Sequence, residues 1–447
     1  MVKLANAFRH FKPFKVLVLG DFMLDTYTTG RVKRISPEAP VPVMEVLKQE
    51  SRPGGAGNVV LNLTTLGASV VAVGRIGNDA EGSELKKCLS CADTSVLLVE
   101  PNYKTPVKNR LIADNQQLIR VDFETIQPLC PEVESAIVEK LELLIPQVQI
   151  VALSDYGKGF LTHRLIAECL RIAKRANVPT IVDPKGTDFT KYRGATVLKP
   201  NLSEAYAAVK MVPPTPLDQV ARELLAISKV EILLITRSEA GISVFDAGGT
   251  RSDFPVRSKE VLDVTGAGDT VLAMICLGLA NGLDIHLATQ LANIAAGISI
   301  ERLGCVQVTL SELACRLLET DSGSKIFDES HTYALHQILK GKRYSLLVLD
   351  KGQSMTHALF RTIRQLSGFE NQELIIYVRD SKPNDEFIHL LSSLSEVDYI
   401  ILQTESLKNL CAEIHPHEVY LLEHDQAVRL DQAQEVIDSL IFLSSPS

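Results

Sequence analysis

A chain of 447 residues is long enough for two or three domains with ample core. Hydrophobic residues make up 46% and charged residues 22%, both near the globular average, which excludes a disordered or fibrous chain. The 46 Lys and Arg against 54 Asp and Glu leave a net charge of −8, so there is no global basic field to hold a nucleic acid and any anionic ligand must be met by a local site.

Met1 to Gly20 contain no apolar core ending in a small-residue cleavage site, and no later run reaches the ~18 apolar residues of a membrane span, so a cytoplasmic protein without a membrane partner is expected. Val16–Leu19 opens a series of strand-like apolar runs that continues with Val70–Val73, Ile150–Leu153, Thr180–Val182 and Ile232–Ile235. Helical patterns such as 162–176 and 216–228 alternate with them, which predicts parallel βαβ units in an open, doubly wound α/β sheet. Two segments break the alternation and read as strands of a small β flap: 41–48, and 95–123 with a hairpin from Val107 to Val121 around Ala113-Asp114-Asn115. Eight cysteines are scattered, several in apolar helical patterns, so disulfides are not expected; Cys88 and Cys91 form a C-x-x-C without the second pair or histidine of a zinc site.

Two glycine-rich segments carry chemistry. Pro53-Gly54-Gly55-Ala56-Gly57-Asn58 runs into a helix and bares backbone beside an amide side chain, a combination suited to sugar hydroxyls. Asp263-Val264-Thr265-Gly266-Ala267-Gly268-Asp269 precedes the apolar helical run Thr270–Leu279. Glycines at a helix entrance leave N–H groups open to an anion, and an acceptor-only Asp269 in that pocket suits a base taking a proton from an attacking hydroxyl. A segment at Asp321–Lys325 reads as a linker, giving domains at 1–325 and 331–447. The second domain holds only three of the 26 glycines (Gly341, Gly352, Gly368), which places phosphate chemistry in the first. Strand patterns at Leu346–Leu349, Leu374–Val378, Tyr399–Leu402 and Val419–Leu422, with helical patterns at 355–366, 384–394, 405–413 and 427–443, predict a smaller Rossmann-like α/β layer.

These two segments resemble the signatures of the ribokinase-like carbohydrate kinases. Gly20-Asp21-Phe22-Met23-Leu24-Asp25, Arg34-Ile35-Ser36-Pro37-Glu38, Asn115-Gln116-Gln117-Leu118-Ile119-Arg120, Ser154-Asp155-Tyr156-Gly157-Lys158-Gly159, Asp183-Pro184-Lys185-Gly186 and Lys199-Pro200-Asn201-Leu202-Ser203-Glu204 are similar to the heptose 7-phosphate kinase branch, over residues 15 to 315. The resemblance implies an ATP- and Mg²⁺-dependent kinase, commonly a homodimer, that phosphorylates D-glycero-D-manno-heptose 7-phosphate at the anomeric hydroxyl for lipopolysaccharide core assembly. It implies Asp269 as base with Gly266, Ala267 and Gly268 as anion hole, and Asp25, Gly54, Gly55, Asn58 and Asp155 at the sugar. Asn201, Leu202, Ser203, Glu204, Thr236, Gly241 and Asn293 fall to the nucleotide, with Glu204 also toward the metal. Lys158 and Lys185, at strand ends where ligands gather, are candidates for the sugar phosphate, and Arg31, Lys33 and Arg34 are weaker ones. Another phosphorylated sugar, a nucleoside, or a non-catalytic scaffold are the alternatives.

Two positions depart from the branch. Cys305 replaces a usual threonine and Thr26 stands where an arginine commonly follows Asp25; neither is expected to touch the base or the anion hole. In fused members of the branch the second domain is a nucleotidyltransferase announced by G-C-F-D and H-x-G-H. Here Leu349-Asp350-Lys351-Gly352-Gln353-Ser354-Met355-Thr356-His357 places Ser354 and Thr356 at the first histidine and the glycine, so a degenerate domain without transfer is expected.

Overall fold

The structure, a computed structural model, describes residues 11–430 other than 115, 257–260, 303, 321–324, 328–334, 337–338, 340, 368–371, 381–382, 403–406 and 424–425. Two compact units divide the described chain, Phe11–Thr309 and a second that begins at Leu310. The division therefore falls before the expected linker, most of which lies outside the described residues.

The first unit runs β1 (Lys15–Gly20), β2 (Phe22–Ile35), β3 (Pro42–Gly55), α1 (Ala56–Thr65), β4 (Ser69–Gly77), α2 (Ala80–Cys88), β5 (Leu97–Glu100), β6 (Val107–Ala113), β7 (Gln116–Phe123), α3 (Pro131–Leu144) and β8 (Ile150–Ser154). It continues with α4 (His163–Arg175), β9 (Thr180–Asp183), β10 (Val197–Leu198), α5 (Leu202–Ala208), α6 (Leu217–Ser228), β11 (Ile232–Thr236), β12 (Ile242–Asp246), β13 (Arg251–Phe254), α7 (Ala267–Ala280) and α8 (Ile285–Ser299). Nine strands form one sheet in the order β13-β12-β11-β10-β9-β8-β1-β4-β5, parallel from β11 to β5. Its central strands are buried along their length, which is why they read as unbroken apolar runs rather than alternating ones. The chain leaves β1 toward β4 on one side and returns through β8 on the other, so the crevice beyond the carboxyl ends of β1 and β8 is where such a sheet collects ligands. The helix α7 is buried from Asp269 to Gly278, which explains its apolar run.

A second sheet, β3-β2-β6-β7, is the flap. The hairpin of β6 and β7 lies where expected, but two corrections apply. Leu97–Glu100 pairs in parallel with β4 at the edge of the main sheet and is not part of the flap. The 14-residue β2, paired with β3 from Phe22 to Ile35, has no counterpart in the expected elements. Its buried apolar start is only Phe22–Leu24, and from Asp25 onward the residues are mostly polar and broken by Gly30, so neither an apolar run nor an alternation marks it.

The second unit contains α9 (Leu310–Thr320), β14 (Ile326–Phe327), β15 (Arg343–Leu349), α10 (His357–Ser367), β16 (Gln372–Val378), α11 (Asp385–Ser393), β17 (Tyr399–Leu402), α12 (Leu407–Ile414), β18 (Glu418–Glu423) and β19 (Gln426–Leu430). Its sheet runs β14-β17-β16-β15-β18-β19, parallel except for β19. Leu346 and Val348 enter one apolar cluster while Leu347 and Leu349 enter another, so both faces of β15 are covered as a Rossmann-like layer requires. The helix expected over 427–443 is corrected at its start: 426–430 pairs antiparallel with β18 as β19, and residues 431–447 lie outside the described residues. Among the described residues no helix is long and apolar enough to cross a membrane.

One buried cation ties the first unit together beside the crevice. Arg75, 1% exposed on β4, donates to Glu100 Oε2 at 3.2 Å, to the carbonyl of Gln127 and to that of Lys158 at 3.3 Å, and its guanidinium lies 3.9 Å from the centre of the Tyr103 ring. Arg75→Met should lower the unfolding free energy of this unit by about 2 kcal/mol or more, because the charge-assisted bonds to Glu100 and to the carbonyls of Gln127 and Lys158 are lost together. Urea denaturation followed by circular dichroism checks this, and a loss under about 1 kcal/mol would show that Arg75 is not a structural tie.

Candidate active site

The crevice is built from strand ends. Asp21 follows β1, the loop 155–160 follows β8, Asp183 ends β9 and Lys199 follows β10; the first turn of α7 and the start of α1 close the site, and the flap strands β2 and β6 reach into it.

At its centre Asp269, 3% exposed, accepts from Asn58 Nδ2 at 2.7 Å and from Tyr156 Oη at 2.9 Å. Asn62 Nδ2 and Gln307 Nε2 each lie 3.3 Å from Asn58 Oδ1, which leaves the Asn58 amide N–H groups for Asp269. Burial pushes the Asp269 carboxyl up to about 7 against the lowering bond from Asn58, and the negative charge of Asp183 adds to the rise. A carboxyl poised there exchanges a proton near neutral pH.

The glycines around it have different reasons. Gly266 caps α7 at φ 81°, and a Cβ there would stand 2.8 Å from Asn58 Nδ2 and 3.2 Å from Cys305 Sγ, so both backbone and packing demand glycine. A Cβ at Gly268 would meet nothing nearer than Lys199 Nζ at 3.5 Å, an ordinary contact. Glycine at 268 therefore leaves open space at a helix N-terminus whose first N–H groups lack intrahelical partners. Ala267 is the first residue of that turn.

Asp25 enters from β2, with Arg110 Nη1 2.6 Å from its Oδ1. A Cβ on Gly54 would fall 2.2 Å from Asp25 Oδ2, and Gly55 has φ 57°, which explains the glycine pair between β3 and α1. Cys305 Sγ lies 4.0 Å from Asp25 Oδ2 and against Gly266. This corrects the expectation for Cys305, which touches the glycine turn and lines the pocket; Thr26 behaves as expected, pairing with Ser51 on the other side of the flap at 3.0 Å.

The loop after β8 is held from below by two carboxylates. Asp21 accepts from the backbone N–H of Tyr156 at 2.9 Å and of Lys158 at 3.1 Å. Asp155 accepts from Gly157 N at 2.8 Å, Lys191 Nζ at 2.7 Å and Tyr192 Oη at 2.6 Å. Asp155 is thus fully engaged by the protein, and it acts on the pocket by fixing the loop that carries Tyr156. Asp21 and Tyr156 received no role from the sequence, although both lie in motifs singled out there; Asp21 directly after the β1 run was the available signal.

A second group lies along the ends of β9 and β10. Lys199 Nζ is 2.9 Å from Asp183 Oδ2, and Lys185 Nζ is 2.8 Å from Glu204 Oε1. Asn201 and Glu204 form a capping box at α5: Asn201 Oδ1 accepts from Glu204 N at 2.9 Å and Glu204 Oε2 from Asn201 N at 3.0 Å. Ser203 Oγ donates to Asn201 Oδ1 at 2.7 Å, and Leu202 is exposed. Lys185 therefore sits with the residues expected at the nucleotide, whereas Lys158 faces Glu124 of the flap side at 2.5 Å. Lys33 is spent on Glu45 at 2.8 Å at the exposed rim of the flap.

The remaining candidates gather beside β11 to β13. Thr236 N donates to Pro200 O at 3.1 Å, so the end of β11 abuts the start of the capping box. Gly241 has φ 82°, and a Cβ would lie 1.9 Å from Phe254 O. Asn293 Nδ2 donates to Pro255 O at 2.8 Å and Phe254 O at 3.2 Å, which binds α8 to the end of β13. Among the described residues no group of three or more His, Cys, Asp and Glu side chains is arranged to hold a metal by itself.

Comparison with known proteins gives the family and the fold. Residues 14–312 match the pfkB family carbohydrate kinase pattern. Bifunctional protein HldE of Trichlorobacter lovleyi is 39% identical over 419 residues, 90% of this chain and 85% of its own, and that of Aliarcobacter butzleri is 38% identical over 425 residues, 90% and 88%. In fold, the chain is similar to Arabidopsis thaliana ribokinase complexed with ribose and ATP, with a TM-score of 0.55 and 18% identity over 68% of this chain and 99% of that one. Escherichia coli phosphofructokinase-2 in complex with fructose-6-phosphate gives 0.54 and 18% over 69% and 99%. The chain belongs to the pfkB family of carbohydrate kinases and is a sugar kinase.

The pair of donors on Asp269 makes a measurable claim. Tyr156→Phe removes one bond to the charged form, so the carboxyl should titrate further above 7 than in the wild type. Carbon-13 NMR of aspartate-labelled protein reads this directly; an unchanged or lower midpoint would show that Tyr156 does not hold the carboxylate.

Proposed function

We propose that this carbohydrate kinase transfers the γ-phosphoryl group of ATP to the anomeric hydroxyl of D-glycero-D-manno-heptose 7-phosphate, giving the 1,7-bisphosphate used for ADP-heptose and lipopolysaccharide core synthesis. The observation that carries the reading is Asp269, a buried carboxyl near pKa 7 at the mouth of a glycine-bared helix N-terminus. The choice of sugar is supported by the motif set in the first unit and by relatives that share two-fifths of their residues with nearly the whole chain.

In this reading Asp269 takes the proton of the anomeric hydroxyl as its oxygen bonds to the γ-phosphorus, and the bond from that phosphorus to the β–γ bridging oxygen breaks to release ADP. The N–H groups of the Gly266–Gly268 turn face the charge that develops on the transferring group. Asn58 and Tyr156 hold the carboxylate in place, while Asp25, fixed by Arg110, offers an acceptor to sugar hydroxyls. Asn201, Thr236, Gly241 and Asn293 border the nucleotide, with Lys185 on that side of the site. Glu204 keeps lone pairs beyond its bonds to Asn201 N and Lys185 and is a hard oxygen donor, so it fits Mg²⁺ held directly or through water; when bound, the ion supplies charge neutralisation on the phosphates.

The second unit, in the same reading, transfers no nucleotide. Beyond the carboxyl ends of β15 and β16 a cavity of about 450 Å³ is lined by Asp350, Asp380 and Glu386 together with Gln353, Ser354 and Met355. Arg379 is tied to Asp350 at 2.9 Å, and Thr356 Oγ1 already accepts from Leu359 N at the start of α10. Carboxylates and an occupied helix entrance oppose a triphosphate.

Two outcomes test these assignments. Asp269→Asn should reduce turnover at least about 100-fold while ATP affinity is kept, and wild-type kcat/KM should rise with pH through about 7 as the carboxyl loses its proton. More than about a tenth of wild-type turnover in the variant would overturn the base assignment. Incubation with heptose 1-phosphate and ATP or CTP should release no pyrophosphate; release that His357→Ala removes would show an active transferase.

A further inference from the structure

The inner face of the flap carries more positive charge than its own carboxylates answer. On β6 and β7, Arg110 is paired with Asp25 at 2.6 Å and Arg120 with Asp122 at 2.8 Å; across the crevice Lys158 is paired with Glu124 at 2.5 Å. Lys108 lies among them, opposite Asp25 on β2 and Asp122 on β7, and among the described residues it has no ion-pair partner. Both carboxylates opposite it are already engaged by arginines. Lys108 is half-buried, and burial, with the charges of Lys158 and Arg120 adding to it, outweighs the attraction of Asp25 and Asp122 and holds its ammonium below the ordinary lysine range. A desolvated cation beside two others is an unfavourable arrangement unless an anion completes it.

Its position says which anion. The Lys108 ammonium stands 5.2 Å from the centre of the Tyr156 ring, and the hydroxyl of the same ring is bonded to Asp269. One aromatic side chain thus has the proposed base at its tip and Lys108 over its face. An acceptor whose reacting hydroxyl meets Asp269 can extend along that ring, with its far end beneath Lys108 and beside Lys158. The nucleotide-side cations are each paired with a carboxylate, Lys185 with Glu204 of α5 and Lys199 with Asp183 at the end of β9.

We propose that Lys108 is the residue that binds the phosphate of the acceptor sugar, with Lys158 beside it, and so selects a sugar phosphorylated at the end remote from the reacting hydroxyl. The inference rests on the reading of the acceptor as a sugar phosphate and names the contact that enforces it. Tyr156 serves as the floor between the two ends of the substrate, and its ring sets their spacing.

The experiment compares the full-length wild type with Lys108→Ala, Lys108→Arg and, as a control on the exposed side of β3, Lys48→Ala, using heptose 7-phosphate, unphosphorylated heptose and ATP. Loss of one charge-assisted contact should raise the KM for heptose 7-phosphate about 10- to 100-fold in Lys108→Ala, with the KM for ATP within about twofold and kcat/KM for unphosphorylated heptose unchanged. Lys108→Arg should recover most of the affinity, which also shows that the effect is one of charge rather than of folding. A wild type that prefers the phosphorylated sugar beside a Lys108→Ala variant that keeps the preference would overturn the Lys108 assignment alone, as would parallel losses on both sugars. A wild type indifferent to the phosphate, or inactive on both sugars, would overturn the acceptor reading and this inference with it.

Discussion

The buried carboxylate of Asp269 is the constraint around which the first unit is organised. A carboxylate removed from water is strongly unfavourable, and two hydrogen bonds of about 1.5 to 3 kcal/mol each offset only part of that, which is the physical meaning of a pKa near 7 rather than near 4. The two donors come from separate segments, Asn58 at the start of α1 and Tyr156 in the loop after β8. Each donor is itself positioned: Asn58 by Asn62 and Gln307, and Tyr156 by backbone bonds from its loop to Asp21 and Asp155. The glycines follow from the same demand, since Gly266 must leave room for the Asn58 amide and Gly54 for Asp25.

This dependence explains what could be read from the residues and what could not. Strands such as β1, β8 and β11 were legible because burial on both faces leaves an apolar run with no competing pattern. The glycine turn and Asp269 were legible because a helix N-terminus with bared backbone has a local signature. Strand β2 was not, since its partners are other flap strands and its polar residues face a pocket. Tyr156 was hidden for a different reason: its partner is 113 positions away, and only the closing of the β8 loop over α7 brings the pair together. The α/β alternation of the second unit was legible as well, apart from β14, whose two residues are too short for a pattern, and β19, whose five residues fit a helical pattern equally well until β18 is placed beside them.

The capping box of α5 shows how one residue pair serves two demands. Asn201 and Glu204 satisfy each other's backbone N–H groups, and that alone accounts for their spacing. Yet Glu204 also holds Lys185, and Asp183 beside it holds Lys199, whose ammonium lies next to Gly268. A helix stop signal, two ion pairs and an open helix entrance therefore occupy one stretch of the crevice. Such an arrangement fixes two cations near an open helix entrance while keeping each of them neutralised by a carboxylate.

Net charge is consequently a poor guide to what the crevice accepts. The chain carries −8 overall, and almost every cation described around the pocket has a carboxylate within bonding distance. An anion arriving at a paired cation must compete with that carboxylate, so the attraction it gains is partly cancelled by the pair it disturbs. An anion arriving at an unpaired, half-buried cation gains the whole interaction and relieves the repulsion among its neighbours. Selectivity for phosphate in such a site is set less by how many basic residues line it than by which of them the fold has left without a partner.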